Sequence, residues 1–180
     1  MAVTVRPRRS VLYMPGSNAR ALEKGRSLGA DAIIMDLEDA VSPDAKGQAR
    51  DQVLAALAEG GYGSRELIIR VNGLTTPWGV DDLIAAATSG AHAVLLPKVG
   101  SADMVEQAVA LLEANGAPGD LAIWCMMETP LGMLHAEEVA GAHARVACLV
   151  MGTSDLAKDL HAAHTRERLP MLTSLSLCLL

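Results

Sequence analysis

The fold class that this sequence predicts is a parallel β/α-barrel, a (β/α)8 TIM barrel of which about six units are present. Three observations carry it. Six short runs are almost continuously apolar, each run is followed by a helical pattern, and the runs recur at roughly 25 to 30 residues, the length of one βα unit.

The apolar runs cover residues 10–14, 32–36, 66–71, 92–97, 121–127 and 146–151. Near-continuous rather than alternating apolar character is expected of strands covered on both faces. Helices are predicted over 18–28, 43–59, 78–88, 102–115 and 130–140, with an apolar helix at 167–180. Ser42-Pro43 and Thr129-Pro130 each place a capping hydroxyl before a proline at the first helical position. Gly29, Gly60, Gly90 and Gly116 stand where helices should stop. No linker or low-complexity tract interrupts residues 1–180, which read as one domain. A closed barrel needs eight units and about 250 residues, so the last two units are expected to be missing. The competing architecture is a six-stranded doubly wound sheet with its ligand at a topological switch point. The motifs at the strand ends favour the barrel.

Composition narrows the function. Fifteen Lys and Arg against 21 Asp and Glu leave a net charge of −6, spread along the chain, which argues against a general nucleic-acid binder. The one basic cluster, Arg6, Arg8 and Arg9, reads as a solvated terminal arm, with an anionic ligand as the alternative. Three cysteines in apolar runs, without a C-x-x-C pair, fit a reducing cytoplasm. The charged start, MAVTVRPRRS, lacks the apolar stretch of a secretory signal, and no later segment is long and apolar enough to span a membrane. A protein of the cytoplasm is expected.

Active sites of parallel β/α folds lie at the carboxyl ends of the strands. The polar residues there are Asp36, Glu38 and Asp39, then Arg70 and Asn72, Lys98, Glu128, and finally Thr153, Ser154 and Asp155. Glu128 and Asp155 follow neighbouring strands, so their carboxylates should converge and leave coordination sites for water and substrate, as magnesium requires. Alternatively, each is simply a carboxylate at a helix start. Without His or Cys beside them, zinc does not fit. Arg70 ends a buried run, where a guanidinium needs an anion. That anion is either a substrate carboxylate or enolate, or an internal partner, Asp36 or Glu38. The acidic turn Asp36-Leu37-Glu38-Asp39 could orient metal-bound water or cap the second helix. After the first run, the turn from Tyr13 to Asn18 meets a helix carrying Arg20 and Lys24 four residues apart, a place that suits phosphate or is merely solvated. The five histidines form no ligand pattern, and the Met-rich positions read as core.

Taken together, the segments RSVLYMPG (9–16), DLEDA (36–40), IRVN (69–72), LPK (96–98), ETP (128–130) and GTSDL (152–156) strongly resemble the citrate lyase beta subunit family, which includes malyl-CoA and citramalyl-CoA lyases. The resemblance implies a magnesium ion, with manganese as a substitute, held at Glu128 and Asp155. It implies a substrate anion met by Arg70, with Glu38 and Asp36 beside it. An acyl-CoA thioester would lie across Tyr13, Arg20, Lys24 and Lys98. The implied reaction is retro-Claisen cleavage of a 3-hydroxyacyl-CoA to acetyl-CoA and a keto acid, in a homotrimer or hexamer. The family's proton-transferring aspartate belongs to a segment beyond residue 180. An aldolase acting on free hydroxy-keto acids and a non-catalytic, truncated ligand-binding subunit are the alternatives.

Overall fold

The computed structural model describes residues 6–180. Met1–Val5, the start of the segment read as lacking a leader, lie outside the described residues. Six strands form one parallel sheet: β1 (Val11–Pro15), β2 (Ala32–Asp36), β3 (Glu66–Arg70), β4 (Ala93–Leu96), β5 (Ala122–Met127) and β6 (Val146–Met151). Their order across the sheet is their order along the chain, and every neighbouring pair is parallel. A doubly wound sheet reverses its strand order at a switch point. This one does not, which decides between the two architectures expected from sequence. The sheet is an open arc and does not close into the complete barrel.

The helices are α1 (Ala19–Gly25), α2 (Lys46–Glu59), α3 (Gly79–Ala87), α4 (Ala102–Ala114), α5 (Pro130–Leu134), α6 (Ala136–Gly141), α7 (Thr153–Asp159) and α8 (Leu172–Leu179). They lie on one face of the sheet, because strand side chains separate into two apolar clusters by the period-two rule. Ile33, Met35, Ile69, Val94, Ile123, Cys125 and Met127 pack with Val53, Leu83, Val105 and Leu112 from the helices. Ala32, Ile34, Ile68, Ala93, Leu95, Ala122, Trp124 and Met126 form a second apolar cluster with other strand residues on the opposite, inner face. Apolar cover on both faces explains the unbroken runs in the sequence.

Three helix boundaries depart from expectation. The 130–140 helix is broken at His135 (φ −105°, ψ 17°), whose Nδ1 contacts the Gly100 carbonyl at 2.8 Å. The last helix begins late, because Arg168 is left-handed at φ 52° and Pro170 lies in a short 3-10 turn that precedes α8. The first helix ends at Gly25 rather than 28, with Arg26 turning to pair with Glu23 and Glu59 and to stack over Tyr62.

The basic residues near the start are tied to the amino ends of the strands. Arg8 forks onto Glu66 at 2.7 and 2.9 Å and stands over the Trp124 ring at 4.9 Å. Arg9 pairs with Asp31 at 2.8 Å and draws its carboxyl down to about 2. Arg8 is thus a structural anchor, whereas the Arg9 side chain pairs with Asp31 while staying exposed, as expected of a solvated arm.

Candidate functional site

The carboxyl ends of the strands bring the polar residues to one rim. Asp36 and Arg70 face each other because the β2–β3 register pairs them. Arg70 Nε donates to Asp36 Oδ1 at 2.7 Å and Nη2 donates to Oδ2 at 2.5 Å, while Nη1 lies 2.9 Å from Glu38 Oε2. Both Asp36 and Arg70 are buried, and charges so placed are tolerated only when paired. Burial pulls the Arg70 pKa down, but the bonds to Asp36 and the charges of Asp36 and Glu38 outweigh it and raise the value. Asp36 also accepts from the backbone N–H groups of Glu38 and Ala40 at 2.8 and 3.2 Å. Of the two partners left open for Arg70, the internal one is therefore made. With both oxygens committed, Asp36 positions Arg70 and the acidic turn; it does not cap α2, which begins at Lys46.

The Tyr13 ring covers the Arg70 guanidinium at 5.2 Å. Burial lifts the Tyr13 hydroxyl to about 12, so at neutral pH it is a neutral donor. Its O–H points to Met126 Sδ at 3.7 Å.

Lys98 is the centre of the remaining charges. Its backbone is left-handed at φ 51°, a conformation that is uncommon outside glycine. That twist lets one residue act in two directions. The Lys98 N–H donates to Glu128 Oε1 at 2.8 Å, and its ammonium lies 2.7 Å from Glu38 Oε1 and 3.3 Å from Asp155 Oδ2. Burial lowers the Lys98 pKa, but the Glu38 bond and the charges of Glu38, Glu128 and Asp39 more than reverse it and hold the amine as a cation.

Glu128 follows β5 and is almost wholly buried. Desolvation raises its pKa against the Lys98 contacts that lower it, and the charges of Glu38 and Asp155 push in the same upward direction. Its Oε2 lies against Gly152, where a Cβ would come within 2.5 Å, so only glycine leaves that side of the carboxylate room. Asp155 sits in the first turn of α7, as one reading of the sequence allowed, and also faces Lys98. Among the described residues no three His, Cys, Asp or Glu side chains converge as a metal cage. Two carboxylates suffice for magnesium, which keeps several waters. Asp36, Glu38, Asp39, Glu128 and Asp155 face Arg70 and Lys98, five carboxylates against two cations, and the surplus of negative charge suits a divalent cation. The residues present therefore fit a hard divalent ion.

Arg20 and Lys24 are exposed on α1 and have no ion-pair partner among the described residues. Arg20 stands near the rim and Lys24 one turn further away. They are not drawn into the cluster around Lys98. Sequence reasoning missed two supports of the rim. Lys46 is buried, donates to the Leu37 and Glu38 carbonyls at 2.8 and 2.7 Å, and stands over the Trp78 ring at 5.5 Å. Asp82 accepts from the Asn72 backbone and side chain at 3.0 and 2.6 Å and from Arg50 at 3.0 Å. A lysine at a helix start and an aspartate in a first turn carry no signal that separates them from solvated residues.

An arc of parallel strands in chain order, with polar residues gathered at the strand ends, is the architecture of β/α-barrel folds, whose sites lie at that face. Residues 9–179 match the HpcH/HpaI aldolase/citrate lyase family, and the chain belongs to that family of enzymes. It is 51% identical over 180 residues to a (3S)-malyl-CoA thioesterase of Cereibacter sphaeroides (strain ATCC 17025 / ATH 2.4.3), covering all of this chain and 61% of that protein. It is 36% identical over 172 residues to the citrate lyase subunit beta of Escherichia coli K12, covering 93% of this chain and 57% of that one. Among solved structures, CitE from Mycobacterium tuberculosis in complex with magnesium, acetoacetate and coenzyme A superposes with a TM-score of 0.71 at 24% identity, over 96% of this chain and 63% of that one. The chain thus spans about three fifths of the length of the curated relatives it matches.

Proposed function

We propose that the rim processes a CoA thioester of a 3-hydroxy acid with the help of a divalent cation at Glu128 and Asp155, and that the reaction is retro-Claisen cleavage to acetyl-CoA and a keto acid. The observation that supports this reading is that Lys98 touches three carboxylates at the strand ends, Glu128 through its N–H and Glu38 and Asp155 through its ammonium. Magnesium, or manganese in its place, would supply Lewis-acid pull on the hydroxyl and carboxylate oxygens of the keto-acid half.

The chain's own residues supply the rest. Arg70, locked by Asp36 and Glu38, is a fixed positive charge that costs no reorganisation when negative charge develops nearby. As the 3-hydroxyl loses its proton and becomes the keto acid's carbonyl, the carbon–carbon bond breaks and its electrons move onto the thioester carbonyl as an enolate, where a preset cation lowers the barrier. One proton then returns to the enolate carbon to give acetyl-CoA. Tyr13, kept neutral, can donate its O–H to a substrate oxygen while its ring shields Arg70 from water. Lys98, paired with Glu38 and Asp155, takes an electrostatic role. Arg20 and Lys24, both exposed on α1, would meet the phosphates of coenzyme A. Cytoplasmic location and trimeric or hexameric assembly are part of the same proposal.

Thioester hydrolysis is the second reading, favoured by the 51% identical relative named as a malyl-CoA thioesterase. One experiment separates the two. The protein is incubated with malyl-CoA, citramalyl-CoA and citryl-CoA plus magnesium, and free thiol, acetyl-CoA and keto acid are measured. Lyase action yields acetyl-CoA and keto acid without free thiol, whereas hydrolysis yields free CoA and the intact hydroxy acid. Cleavage of free hydroxy-keto acids alone would favour the aldolase alternative, and binding of these thioesters without turnover would favour the non-catalytic one.

A further inference from the structure

Lys98 occupies a position that neither its sequence neighbours nor a purely structural role accounts for. It adopts φ 51° although it is not a glycine, and it is half-exposed, so burial does not force the conformation. The twist has two results. The backbone N–H is aimed at Glu128 Oε1, and the side chain crosses the rim so that the ammonium bridges Glu38 and Asp155. The bridge is unequal, 2.7 Å to Glu38 and 3.3 Å to Asp155. Glu38 is also ion-paired on its other side with Arg70 Nη1 at 2.9 Å, whereas Asp155 has no second cation among the described residues. The ammonium is therefore bound firmly at one end and loosely at the other, and the loose end is one of the two carboxylates read as metal ligands.

We infer that Lys98 is a built-in counter-cation that competes with the divalent ion for Asp155, releasing that carboxylate on metal binding while its ammonium stays on Glu38 and its N–H stays on Glu128. This rests on Glu128 and Asp155 being the metal pair. A positive charge next to a divalent cation site weakens metal binding, and the same charge in the metal-free protein relieves repulsion among the carboxylates. Lys98 thus trades metal affinity for a stable metal-free rim, and its fixed N–H keeps Glu128 oriented in both states.

The test uses Lys98→Gly and Lys98→Met. Glycine suits φ 51° and keeps the N–H donor, so it deletes the ammonium without opposing the backbone; Lys98→Met keeps the strain and deletes only the charge. Mn2+ binding to each purified protein is measured by electron paramagnetic resonance, with circular dichroism as the check on folding. Both variants are expected to bind Mn2+ about tenfold more tightly than the unmodified protein, with the gap narrowing as salt is raised. Their metal-free unfolding midpoints should fall, and saturating Mn2+ should raise them by more than it raises the unmodified protein's. A role confined to structure would not tighten metal binding. Unchanged or weaker affinity in folded Lys98→Gly overturns the inference while leaving the metal pair standing. Absence of Mn2+ binding to the folded, unmodified protein removes the metal pair itself, and the inference with it.

Discussion

Arg70 carries contacts to three carboxylates from a buried position, so its loss would strand Asp36 and Glu38 inside the protein with their charge unanswered. Arg70→Met is expected to cost about 3–5 kcal/mol in urea unfolding, as for other buried pairs broken from one side. Glu128 works in the opposite sense. Burial raises its folded pKa above the ordinary 4.5, so the folded chain binds that proton more tightly than the unfolded chain. Its stability contribution is best at low pH, falls as pH rises above about 4.5, and levels off once the folded carboxyl has ionised. Glu128→Gln should raise the metal-free melting point at pH 8 and abolish the shift produced by Mn2+, both read by scanning calorimetry. Asp31, drawn down to about 2 by Arg9, contributes stability above its ordinary 3.8 that is lost as pH falls toward 2. Asp31→Asn should flatten the acid limb of the stability profile in that window. At this scale the sequence named most of the charged groups, since polar residues at the ends of apolar strands stand out. It could not reveal which partner Arg70 would take. Nor could it show the left-handed Lys98, because nothing in a lysine codon's neighbours announces a positive φ.

The strand and helix elements show why the site is tight. Gly152, at the end of β6 and start of α7, is pressed against Glu128, and an added Cβ would come within 2.5 Å of both Cβ and Oε2. Gly152→Ala is expected to displace the carboxylate and weaken Mn2+ binding at least tenfold while leaving far-ultraviolet circular dichroism intact, a loss that a metal titration would read. All six strands were legible to within a residue or two, because a parallel strand covered on both faces writes itself as an apolar run. The helix ends were less so. The break at His135 depends on a side-chain bond to the Gly100 carbonyl, a contact between segments 35 residues apart that no local pattern contains.

Across the whole molecule, protection should follow position in the sheet. Strands β2 to β5 have neighbours on both sides, whereas β1 and β6 are each paired along one side only, and every residue of β6 is half-buried. Hydrogen exchange is expected to be slowest in β2–β5 and fastest in β6, read by mass spectrometry of peptic fragments. The sequential βα rhythm was visible in the sequence. The six units read there match the six strands, whereas the strand order that excluded a doubly wound sheet was settled only by the pairing.

The identity between strand order and chain order also bears on how the polypeptide reaches this shape. Each new strand docks beside the one made just before it, so no segment has to wait for a distant stretch of chain. Such a topology keeps each closure to the span of one βα unit, and loop-closure entropy grows with the length of chain enclosed.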